Sequence, residues 1–222
     1  MPECRARQRI SRAAVLGTML LGLAGCGSAP QPGEASPSTG PRSFLDLVRA
    51  SSPAKELRFR PVLAVAETPL TDAPPGNPDR QSTDPAAQQR MLASFGCGDP
   101  TADPLAGEDD AALPLVTCDR SGGARYLLGP AALDGSAVKS AGLSDAPGNA
   151  MFTVKMTFTP DAAAKWADLT TRNVGKQIAI VVGARVLVAP AIMDPIPDGK
   201  AEISGLRDQS EAEDLADWLN GH

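Results

Sequence analysis

Apolar and polar positions along this chain follow two rhythms, a period of two that predicts strands and a longer period that predicts helices. Residues 57–65 alternate at first and end in β-branched side chains, a strand signature. Pro61 lacks an N–H, so that strand is expected at a sheet edge or at a bulge. Residues 125–128 predict a short strand that ends at Gly129-Pro130. Residues 151–158 put Phe152, Val154, Met156 and Phe158 on one face. Two β-branched runs, 178–182 and 185–189, surround Gly183-Ala184, which predicts a tight hairpin with glycine at the first central position. Residues 201–204 add one more short strand.

Three helices are expected between them. Asp84-Pro85 supplies an N-cap and a first-turn proline, Met91, Leu92 and Phe95 share a face, and Gly96 is the expected left-handed stop. Thr159-Pro160 opens a second helix with Ala162, Trp166, Leu169 and Asn173 at helical spacing, closed by Gly175. Asp208 and Glu211 form a capping-box-like start to a third, striped by Ala212, Leu215, Ala216 and Leu219. Prolines at 69, 74, 75 and 78 interrupt regular structure, and 99–114 reads as loop. The fold class is α+β, a mostly antiparallel sheet with helices packed on one face.

The N-terminus follows neither rhythm. An apolar run of about twelve residues before Cys26 is too short for a spanning helix, which needs roughly twenty. Arg5, Arg7, Arg9 and Arg12 lead it, and Leu23-Ala24-Gly25-Cys26 matches a lipobox. Residues 1–25 are therefore expected to be a lipoprotein signal peptide, with Cys26 carrying the lipid in the mature chain. Residues 26–43 follow as a tether, since 27–41 hold four Pro, three Gly and three Ser with almost nothing apolar. The folded part divides into 44–124, with the first strand, a short helix and a pinned loop, and 125–222, an α+β subdomain. The expected location is the extracytoplasmic face of a cell membrane, held by the lipid.

Charge narrows the partners. Residues 1–25 hold four Arg and one Glu, so without them 17 basic and 25 acidic side chains remain and the net charge moves from −5 to −8. An acidic surface repels phosphate backbones, so nucleic acid is not an expected partner, and the acyl chains must do the membrane work. Cys4 leaves with the signal and Cys26 is lipidated. Cys97 and Cys118 then remain as an even pair outside the cytoplasm, which reads as a disulfide, with two free or metal-bound thiols as the alternative.

Candidate chemistry is sparse. One His, at position 222, excludes His-dependent triads and His-rich metal sites within one chain. No G-x-S-x-G elbow or phosphate loop is present, so no catalytic residue, metal or cofactor is expected. Glu108, Asp109 and Asp110 read as a solvated acidic loop rather than a calcium site, and Asp194, Asp198, Glu202 and Asp208 as surface residues. Trp166 reads as core. For a bound peptide, the expected routes are strand addition at an open edge or an apolar groove beside the 178–189 hairpin, with Ile178, Ile180, Val186 and Val188 as candidate binding residues. Pro190, Pro195 and Pro197 read equally as protection of that edge.

Several ordered blocks carry a resemblance. Tyr126-Leu127-Leu128-Gly129-Pro130, the run from Phe158-Thr159-Pro160 to Leu169-Thr170, Gly175-Lys176-Gln177 with its following Ile and Val run, Val186 to Ile192, and Ala201-Glu202-Ile203-Ser204-Gly205 resemble the periplasmic head of SecD, a membrane component of the protein-export machinery. The resemblance covers about residues 125–219. It implies a head that contacts exported or unfolded polypeptide, or an envelope protein partner. SecD goes on into transmembrane helices that use the proton gradient. None is expected after His222, so a stand-alone lipoprotein that binds without driving is the reading. A structural or signalling envelope lipoprotein, or a carrier of a small ligand, are the alternatives.

Overall fold

The computed structural model describes residues 52–67, 77–99, 103–144 and 152–221. The expected signal peptide, Cys26 and the 26–43 tether lie outside them, as do Met151 and His222.

Strand β1 (Leu57–Glu67) organises the larger sheet. It pairs antiparallel with β3 (Ala124–Leu128) on one side and β7 (Ile178–Val182) on the other. Beyond these lie β2 (Leu115–Cys118) and β8 (Arg185–Val188), giving the order β2-β3-β1-β7-β8, and the two-residue β4 (Leu133–Asp134) also pairs with β1. Of the two settings expected for Pro61, a sheet edge or a bulge, the structure has the second, since β1 is interior. A register shift between Val62 and Ala64 provides the bulge, and the Val62 N–H donates to Gln177 O at 3.0 Å just past the proline. The division between 44–124 and 125–222 runs through this sheet, because β1 is hydrogen-bonded to two strands that follow it by more than fifty residues.

The sheet curls until its outer strands approach each other. Asp119 bridges Val186, and the Arg120 N–H donates to Val186 O at 3.0 Å. Leu115, Leu128, Ala179, Val181 and Val186 pack as one buried cluster with Val62 and Tyr126, so every one of the five strands contributes to it. A second group, Met91, Leu92, Phe95, Val116, Cys118 and Leu127, joins the sheet to helix α1 (Pro85–Ser94). Asp84 caps α1, accepting from the Ala86 and Ala87 N–H groups. Its end departs from expectation: Phe95 is already extended, and Gly98, not Gly96, has the positive φ of 50°. Cys97 and Cys118 are disulfide-bonded with their Cα atoms 5.6 Å apart, tying the segment after α1 to β2.

The smaller sheet is antiparallel with the order β5 (Val138–Leu143), β6 (Val154–Phe158), β9 (Lys200–Ile203). The strand expected over 151–158 is shorter, and Phe152 ahead of it is 37% exposed. Helix α2 (Pro160–Arg172) opens at Thr159, whose side chain accepts from the Ala162 N–H, and buries Ala162, Trp166 and Leu169. Helix α3 (Gln209–Leu219) buries its predicted stripe and Trp218. Asp208 accepts from the Glu211 N–H at 2.9 Å, but the Glu211 carboxylate returns to the Arg207 N–H and to Arg120 at 2.7 Å. That last contact fastens the β2–β3 turn to the helix. The largest core lies between the sheets and these helices, with Phe59 edge-on to Phe158 at 5.4 Å and to Trp166 at 5.7 Å. The class is α+β, with two antiparallel sheets where one was expected.

Candidate functional site

The hairpin between β7 and β8 turns through Gly183 and Ala184, with φ of 56° and 58°. Two left-handed residues make the mirror-image turn that demands both, rather than one needing glycine at the first position alone. After Val188 the chain enters an arm, residues 189–199. Pro190, Pro195 and Pro197 have no N–H to offer a ladder, so the arm is held by separate bonds. Ile178 N–H donates to Pro190 O, Ile192 N–H to Lys176 O, and Gly175 N–H to Ile192 O. The Ile196 N–H donates to the Thr170 hydroxyl at 3.0 Å, and the Gln177 amide to Ala189 O at 2.8 Å. Ile192 is buried as the anchor, while Met193 next to it is 76% exposed.

Between this arm, β9 and α2 lies a cavity of about 500 Å³. Trp166 and Ile180 border it on the core side, Pro190 to Ile196 on the arm, and Lys200 to Glu202 on β9. Trp166 is locked by its ring contacts and by donating its indole N–H to Lys200 O at 3.0 Å. The Lys200 N–H donates to the Asp198 carboxylate at 3.3 Å. Both backbone groups of Lys200 outside the β6 ladder are therefore used within the chain, which leaves little for an added strand at that point. At the opposite edge, the Asn220 carboxamide accepts from the Ala141 N–H and donates to Ala141 O, each at 2.9 Å, occupying β5 in the same way. What the arrangement offers is apolar contact: an aromatic wall, three isoleucines and an exposed methionine, rimmed by charge.

Of the four residues proposed for binding, Ile178, Ile180 and Val186 are 0–2% exposed and Val188 is half-buried. They fill the cores, because β7 is covered on both faces. Only Ile180 borders the cavity. Of the arm residues that do line it, Pro190 and Pro195 carry the edge-protection reading and Asp194 and Asp198 the surface one, while Trp166, expected in the core, is both core and wall. The signal for them was present as Ile192, Met193 and Ile196 set between spaced prolines.

The acidic loop is also corrected in part. Asp109 is buried, pairing with Arg60 at 2.6 Å and with Arg58 at 3.7 Å. Arg60 also donates to Leu113 O and Gly129 O. A related cluster sets Asp103 between Arg80 at 2.7 Å and Arg185 at 3.2 Å, with Arg80 lying 4.6 Å over the Phe95 ring. Arg185 further donates to Cys97 O. Burial lowers the pKa of Arg60 and Arg185 from the ordinary guanidinium value, against the pull of Asp109 and Asp103. These groups are sealed from solvent and border no cavity described above. By contrast Asp194, Asp198, Glu202 and Asp208 are exposed, as expected. Among the described residues there is no cluster of His, Cys, Asp and Glu able to hold a metal.

Fold and site together define a class, an α+β module of two antiparallel sheets with a side cavity walled largely by apolar side chains. Residues 114–222 match the family described as SecDF, P1 head subdomain, so the chain carries a SecD periplasmic head-like domain. The protein translocase subunit SecD of Mycobacterium tuberculosis is 36% identical over 126 residues, covering 57% of this chain and 22% of that protein. SecD of Streptomyces coelicolor is 35% identical over 147 residues, covering 61% of this chain and 25% of that protein. A solved structure of SecDF, described as a membrane component that enhances protein export, superposes with a TM-score of 0.46 at 26% identity, covering 79% of this chain and 65% of that one. The matched part thus spans about a quarter of the length of these curated relatives or less.

Proposed function

We propose that this chain is a noncatalytic, lipid-anchored module of the extracytoplasmic face that holds apolar side chains of exported or unfolded polypeptide in the cavity under the 189–199 arm. The observation that carries this reading is the cavity itself. Its volume of about 500 Å³ falls within the roughly 300–1,000 Å³ of preformed binding pockets, and its wall is aromatic and aliphatic. The setting is supported by the head match over 114–222, whose relatives are named protein translocase subunits. Attachment through Cys26 rests on the lipobox alone, and among the described residues no helix is long and apolar enough to cross a membrane.

A photo-crosslinker placed at Met193, which is exposed on the cavity rim, tests the reading directly. It should capture unfolded polypeptide but not the same polypeptide once folded. Equal capture of both, or of neither, defeats the proposal. Release of a small apolar molecule from the natively purified protein would instead favour a ligand carrier, which the same cavity volume accommodates. For the anchor, Cys26→Ser should release the chain from the membrane or leave it with an uncleaved signal, and membrane retention of a correctly processed Cys26→Ser chain would refute it.

A further inference from the structure

We infer that the pocket selects extended segments in which an apolar residue is flanked by Lys or Arg over segments flanked by Asp or Glu. This rests on the polypeptide-binding reading above and adds the charge of the ligand to it. Around the apolar wall the rim carries three carboxylates, Asp194, Asp198 and Glu202, against one ammonium, Lys200. Asp198 meets Lys200 only at 3.8 Å and Glu202 meets Lys155 only at 4.0 Å, with all four side chains more than half exposed. Pairs of that kind contribute at most about 1 kcal/mol, so they neutralise the rim weakly and open readily to an arriving cation. Asp194 has no ion-pair partner among the described residues. The chain as a whole is acidic, with a net charge of −5, which adds a long-range field of the same sign.

Backbone pairing is closed at Lys200. Both outward groups of Lys200 are already used by Asp198 and Trp166. A bound segment is therefore discriminated by its side chains, apolar ones in the cavity and charged ones at the rim, and the charge acts on capture rate and on choice of partner.

The test uses the full chain and three peptides that share one apolar centre, flanked by Lys, by Ser or by Glu, with affinity measured by calorimetry. At low salt the Lys-flanked peptide should bind about tenfold more tightly than the Glu-flanked one, narrowing to within about twofold at molar salt as the rim is screened. Replacing the exposed rim residues, Asp194→Lys with Glu202→Lys, should reverse the order. Equal binding of all three peptides overturns the charge selection while leaving the polypeptide reading intact. A Lys preference that survives the double replacement overturns it too, since the preference would then arise elsewhere. Absence of binding by any of the three removes the polypeptide reading as well.

Discussion

The curled sheet and the inter-sheet core solve the same problem by different chemistry. The curled sheet encloses a small interior of Leu115, Leu128, Ala179, Val181 and Val186, and five buried arginines, two buried aspartates and a disulfide accompany it. The inter-sheet region buries twenty-three apolar residues in one cluster, with Phe59, Phe158 and Trp166 in mutual ring contact. A curled sheet of short strands has too little apolar surface to specify its long loops, so charge-assisted bonds to loop carbonyls position them instead. The layered core has surface to spare, and the cavity opens on that side.

Breaking each region by its own chemistry should give the largest effects. Asp103→Ala leaves Arg80 and Arg185 buried without their carboxylate and should cost about 3–5 kcal/mol in urea unfolding. Replacing Arg80, Asp103 and Arg185 together with apolar residues of similar size should cost less than Asp103→Ala alone. A triple variant that is the less stable of the two would mean the ions stabilise by more than mutual compensation. In the other region Trp166→Ala should also cost about 3–5 kcal/mol, with no rescue by charge.

Reduction of the Cys97–Cys118 bond sharpens the contrast at the next level. It closes a loop of about twenty residues, so its loss should lower stability by about 3 kcal/mol. Hydrogen exchange should quicken first in α1 and β2 and leave α2 and α3 protected; uniform loss across both regions would show that they unfold as one. At the hairpin joining the two, Ala184 holds a φ of 58° that costs a β-carbon strain, and Ala184→Gly should raise the unfolding midpoint by the equivalent of about 1 kcal/mol. A lower midpoint would show that the buried Ala184 methyl contributes more than the strain costs.

The smallest effect is a titration. Tyr126 borders the curled interior, and burial, with the Asp119 carboxylate adding to it, raises its phenol above the ordinary value of 10.0. The folded chain then keeps a proton that the unfolded chain releases. Its contribution to stability is complete below pH 10.0 and is lost as pH rises through the higher folded value. Tyr126 is the single tyrosine, so ultraviolet absorbance of the phenolate reads it alone, and the midpoint should be higher in the folded than in the urea-unfolded protein. Identical midpoints would place Tyr126 in solvent.

Local signals were legible wherever the residues themselves set the conformation. Asp84-Pro85 and Thr159-Pro160 begin helices because their side chains cap free N–H groups and proline suits the first turn. The α3 stripe and the alternating β6 face were read directly from periodicity. Strands β2 and β5 went unpredicted. Leu115–Cys118 is four residues buried on both faces, and Val138–Leu143 contains Lys, Ser and Gly, so neither shows a clean period of two. The role of Asp109 was misread for a related reason, since no local pattern tells a solvated carboxylate from one that meets arginines about fifty positions earlier.

Sequence by itself determined the helix starts, the hairpin, the cysteine pair and the head-like order of blocks from about residue 125, all of which depend on neighbours along the chain or on chemistry carried by residue type. Only the tertiary structure decided that β1 is interior, that the sheet curls until Asp119 reaches Val186, and that Trp166 and a proline-spaced arm enclose a cavity. Those outcomes depend on which distant surfaces meet, and the packing energy that selects among them is a property of both surfaces together.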